Sequence, residues 1–203
     1  MPPEESERSR WLQAALRLSE ISVAWGLLSG TASVAIGLRD GSLGVLGLGL
    51  NVLADVAGSA VLIWRFRAEL AHAGHAERVE RRAAVVVAAA LGTVGVVLAG
   101  SAIHALAVGS RPGSSALAVL SATLAFAVLA PLARRKRSVG RALGSRALSG
   151  DGTISGIGAA VALLALAGLA LSEGLGWWWA DRAAALVVAG IAAAEAARAI
   201  RQD

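Results

Sequence analysis

Four acidic residues of this sequence fall within long apolar stretches, where a carboxylate is costly and seldom idle: Glu20, Asp55, Asp151 and Glu195. Asp55 is the most informative. It follows Leu43 by 12 residues, which places it about 18 Å along a helix that rises 1.5 Å per residue. Arg65, on the same stretch, is almost three helical turns away. The carboxyl group must therefore be protonated, hydrogen-bonded, or matched by a cation from another segment. Asn51 stands four residues earlier, on the same helical face. Such an Asn-x-x-x-Asp pair either aims two oxygen ligands into one space or forms a polar knot between packed helices, and the residues alone leave both open. Asp151 comes with Thr153 and Ser155, then Gly156 and Gly158. It reads either as a second ligand position or as an acidic residue in the first turn of a helix, favoured there by the helix dipole.

The remaining polar candidates are plainer. Glu20 stands at the inner end of the first apolar run, and Glu195 near the inner end of the last, within reach of lipid headgroups. Asp181 belongs near the opposite surface, beside Arg182, with which it can pair. His72 and His75, three apart and followed by Glu77 and Glu80, could chelate a metal on a helix. A solvated charged loop is the simpler reading. His104, alone near the outer end of the third run, reads as a hydrogen-bonded packing residue.

Long apolar helices must position these groups. Of 203 residues, 56% are hydrophobic and 16% charged, with a mean hydropathy of +0.66; in a soluble domain about a quarter of the residues are charged. There is no cysteine, which excludes disulfides and thiolate metal sites. The net charge of +5 fits basic residues at the ends of membrane spans better than a nucleic-acid surface. A span takes about 20 apolar residues, and six segments qualify: 18–38, 43–64, 83–108, 114–133, 149–172 and 177–197. The expected fold is all-α and polytopic, with a segment 1–17, a six-helix membrane domain 18–197 and a tail 198–203.

Charge fixes the expected orientation. Sixteen basic residues fall on the side holding both ends and the longer loops 65–82 and 134–146, the lone lysine Lys136 among them, against three on the other side: Arg39, Arg111 and Arg182. The positive-inside rule puts both termini in the cytoplasm, and Trp177, Trp178 and Trp179 at the outer interface. No cleavable signal peptide is apparent, so the chain is expected to be multi-pass in the inner (plasma) membrane. Gly26, Gly30, Gly44 and Gly58 supply small faces for close helix packing. No nucleotide loop or nucleophile–base pair is evident, so no enzyme activity and no cofactor are expected.

The stretch GSLGVLGLGLNVLADVAGSAVLIWRFRAE, with its Gly-Ser turn and the Asn51–Asp55 pair, resembles the second span of the cation diffusion facilitator (cation efflux) family. ALSGDGTISGIGAAVALLALAGLALSEGLGWWWADRAAALVV resembles the family's fifth and sixth spans, with an Asp after the Trp-rich turn. The likeness covers roughly Leu18 to Arg198. It implies a transporter that exchanges a divalent cation for protons, with the metal as cargo, and a homodimer held by membrane helices. It also implies Asn51, Asp55 and Asp151 as metal ligands. In that register Asn51 and Ala147 stand where the family has a His or Asp, the fifth helix begins before Ser149, and Asp151 lies deep. With the sequence ending at Asp203, the family's soluble C-terminal domain is not expected. Oxygen ligands without histidine favour a manganese-like cation over zinc. Two other classes stay open: a degenerate, non-transporting membrane scaffold or regulator, and a small proton-coupled exporter of organic cations, the latter disfavoured by two Phe and no Tyr.

Overall fold

The computed structural model describes residues 3–70, 92, 95–96, 98–109 and 115–201. Among them are six helices and no strand: α1 (Pro3–Asp40), α2 (Leu43–Leu70), α3 (Leu98–Ala107), α4 (Ala116–Ala142), α5 (Arg146–Gly174) and α6 (Ala180–Arg201). Four of them, α1, α2, α4 and α5, are long and apolar enough to cross a membrane, so the chain is a membrane protein. α6 carries Asp181, Arg182, Glu195 and Arg198 within its length and is not among the four. His72, His75 and the side chain of Glu195 lie outside the described residues.

The helices pack as neighbours in sequence and then close into a bundle: α1 against α2 and α4, α4 against α5, and α2 and α5 against α6. A core of small and branched residues lies where α2, α4, α5 and α6 meet, with Val45, Leu48, Leu129, Val161, Ala165 and Val188 almost fully buried. Glycine lets backbones approach. A side-chain carbon at Gly49 would come within 2.6 Å of the Val34 amide nitrogen on α1, closer than van der Waals contact allows. Dispersion and close packing drive such association, because lipid tails are as apolar as the helices. The outward faces are apolar too, as at Leu28, Leu38 and Leu120.

The tight connections have clear causes. Gly41 (φ 66°) makes the turn from α1 to α2, and Gly144 (φ 65°) the turn from α4 to α5, a left-handed conformation that glycine adopts without strain. Ser145 caps α5 by accepting a bond from the Leu148 amide at 3.3 Å. The loop expected over 134–146 therefore shrinks to Leu143–Ser145, and the basic run Arg134–Arg137 is helical. α5 starts before Ser149, as the family register requires.

α2 is capped in an unusual way. Its first amide donors bond a side chain from α6: Leu43 N–H to Asp181 Oδ2 at 3.0 Å and Gly44 N–H to Asp181 Oδ1 at 3.2 Å. The Ser42 hydroxyl donates to Asp181 Oδ1 at 2.7 Å. Asp181 is fully buried at this end of the bundle, and Arg182 Nη1 stands 3.9 Å from its Oδ2, the pairing expected from their adjacency. A helix N-terminus attracts negative charge, and here the carboxylate arrives from a helix 138 residues later in the chain. Asp181→Ala would strand these donors in the interior. It is expected to lower the unfolding free energy by about 2–4 kcal/mol, read as a lower thermal midpoint in detergent.

Candidate functional site

Asp55 and Asp151 are joined through one polar cluster in the bundle interior, level with the last turns of α4 and the first turns of α5. α2 offers Asn51, Asp55 and Ser59 at four-residue steps, which stack on one helical face. α5 offers Asp151 and Ser155 at the same step, followed by Gly158. The two helices run in opposite directions, so each aspartate faces the other helix's serine. The Ser155 hydroxyl donates to Asp55 Oδ2 at 3.2 Å, and the Ser59 hydroxyl to both Asp151 oxygens at 3.2 Å. One step further out, Asn51 lies opposite Gly158, where a side-chain carbon would stand 3.3 Å from Asn51 Oδ1. That oxygen is buried and has no hydrogen-bond partner among the described residues.

A third helix supplies the cation that Asp55 lacks on its own. Lys136 of α4 is fully buried. Its ammonium donates to Asp151 Oδ2 at 2.6 Å, to Ser155 Oγ at 3.0 Å and to Ser59 Oγ at 3.1 Å. It therefore pairs directly with one aspartate and, through Ser155, is one hydrogen bond removed from the other. The lysine stem reaches this point because α4 and α5 nearly touch. A side-chain carbon at Gly152 would lie 2.9 Å from both the Arg137 nitrogen and Lys136 Cβ. An alanine there would force the helices apart.

Lys136 corrects the sequence reading, which counts it among the basic residues of a cytoplasmic loop. Arg134, Arg135 and Arg137 do face outward, but Lys136 continues the buried stripe of α4 set by Ala125, Leu129, Leu132 and Val139. Helical phase, rather than local charge density, decides which member of a basic run turns inward. The signal available in the sequence is that this is the chain's one lysine, set at helical spacing from Leu129 and Leu132.

The other candidates resolve more simply. Glu20 is partly exposed and pairs with Arg67 of α2 at 2.7 Å. A matching pair, Arg8 with Glu69 at 2.6 Å, holds the same ends of α1 and α2. His104 is exposed rather than packed, because α3 turns Leu98 and Ala102 inward and leaves His104 on the far side. Thr153 is also exposed, its hydroxyl bonded to the Ser149 carbonyl at 3.1 Å. Among the described residues no group of three or more His, Cys, Asp or Glu side chains could hold a metal ion. The cluster presents two carboxylates, two hydroxyls and the Lys136 ammonium, with the Asn51 amide oxygen one helical turn from Asp55. Neither a family model nor a curated protein matches the chain.

Proposed function

We propose that this protein is a proton-coupled exporter of a divalent cation, built as a member of the cation diffusion facilitator family. In this reading six helices span the plasma membrane, both termini are cytoplasmic, and two copies associate through their membrane helices. Asn51, Asp55 and Asp151 are the cargo ligands.

The observation that carries the reading is a charge imbalance. Two carboxylates, Asp55 and Asp151, share one ammonium, Lys136, at a place removed from solvent. With all three ionised, one negative charge is left over, and an uncompensated charge in a membrane interior is costly. The cluster is suited to hold one more cation, and a proton and a metal ion are alternatives for that role. A divalent ion bound by both carboxylates takes the place of the proton and of the Lys136 ammonium together, so that two positive charges still face two negative ones and the ammonium withdraws from Asp151. The unpartnered Asn51 Oδ1 supplies a third oxygen one helical turn away. An all-oxygen set suits hard cations such as manganese.

A second reading has its own support. Lys136 already saturates Asp151 and both serines, which is also what a closed structural knot in a non-transporting scaffold looks like. The full chain in proteoliposomes, loaded with a pH-sensitive dye and offered manganese, zinc, cobalt and magnesium in turn, separates the two. Proton movement driven by at least one of these metals is the expected result. No metal-driven proton movement with any of them overturns the transporter reading in favour of the scaffold.

A further inference from the structure

We infer that the groove between the first halves of α1 and the last turns of α4 binds the phosphate headgroup of an anionic phospholipid. The groove is a cavity of about 570 Å³. Arg10 and Arg17 of α1 and Arg135 of α4 line it, together with the Ser138 hydroxyl. No carboxylate lines it, and none of the three arginines is paired with one among the described residues. Two other arginines at this end of the bundle are neutralised, Arg8 by Glu69 and Arg67 by Glu20. Three unpaired guanidinium groups converging on one cavity make a site for an anion with several acceptor oxygens.

Depth identifies the anion as a lipid headgroup. α1 and α4 are antiparallel and joined by a Ser33–Ser121 hydrogen bond of 2.7 Å. Arg17 and Arg135 are 16 and 14 residues from that bond, hence within about 3 Å of the same level at 1.5 Å per residue. From Arg17 toward the bundle centre the cavity wall becomes apolar, at Leu18 next in sequence and at Ile21 one turn on, and Ile21 is exposed along the helix flank. A cationic mouth opening onto an apolar wall matches the order of a phospholipid, phosphate first and acyl chain after. Basic pockets between membrane helices recognise acidic headgroups in this way. The inference does not depend on transport.

The test uses the full chain, whose lack of cysteine allows a single probe. A fluorophore on Ala142→Cys, an exposed position one turn beyond Ser138, reports on the groove in phosphatidylcholine vesicles. Headgroup-spin-labelled phosphatidylglycerol is expected to quench it at a lower mole fraction than the phosphatidylcholine analogue. Each of Arg17→Gln and Arg135→Gln should reduce that preference about fivefold, as expected for one basic residue near the membrane surface. Arg17→Lys with Arg135→Lys should keep most of it, and Arg39→Gln at the opposite end should leave it unchanged. An undiminished preference in the double glutamine variant overturns the proposal. So does loss of the preference in the double lysine variant, or displacement of the lipid by millimolar inorganic phosphate, which would mark a site for free anions.

Discussion

Lys136→Met should destabilise the bundle by about 3–5 kcal/mol, the cost of removing one partner from a buried ion pair. The ammonium makes three contacts of 2.6 to 3.1 Å and has no exposed surface. Methionine fills most of the lysine stem's volume, so lost packing contributes little. The penalty arises from leaving two carboxylates together without a cation. Combining Lys136→Met with Asp151→Asn should recover most of the stability, because the pair is then replaced by neutral groups and a neutral amide is far cheaper to bury than a carboxylate. Thermal unfolding in detergent, followed by circular dichroism, measures both. A single variant that melts within about 1 kcal/mol of the parent chain would show that Lys136 does not compensate a buried charge, and the charge argument for the site would fail with it.

The second large effect is expected at Asp55. Asp55→Asn keeps the size of the side chain and an acceptor for the Ser155 hydroxyl, now 3.2 Å from Asp55 Oδ2, and removes the negative charge that Lys136 leaves unmatched. If the proposed transport function holds, metal-driven proton movement in proteoliposomes should fall at least about 100-fold, since the variant would lose a cargo ligand and disturbing even the outer partners of metal ligands costs 10–100-fold. Stability should be equal to that of the parent or slightly higher, because a neutral amide replaces a buried carboxylate. The reciprocal change, Asn51→Asp, adds a carboxylate beside Asp55 and should strengthen binding of zinc-like cations. Full metal-driven proton movement in a stably folded Asp55→Asn variant would sink the mechanism. A polar knot predicts a different pattern, in which Asp55→Asn changes the melting temperature and the parent chain moves no protons at all.

The sequence by itself determined that this is a membrane protein and marked out Asp55 and Asp151 as acidic residues within apolar helices. Hydropathy and charge are sums along the chain, so long apolar helices were legible without knowing what touches what. The depth of Asp55 followed from helix rise alone, and the Asn51–Asp55 spacing placed both on one face. The requirement that Asp55 find a bond or a cation elsewhere also followed, because its own helix offers neither. Only the tertiary structure decided who answers that requirement. Ser155 comes from 100 residues later in the chain, and Lys136 from a run of four basic residues that local composition assigns to a loop. Its inward direction depends on the phase of α4 and on how closely Gly152 lets α5 approach, and neither is a local property. Asp181 is the same lesson at the other end of the bundle: its pairing with Arg182 followed from adjacency, whereas its contact with the N-terminus of α2 came only from packing. Spacing along one helix is fixed by covalent geometry and the 3.6-residue turn; meetings between helices are fixed by close packing of small residues, which no single segment encodes.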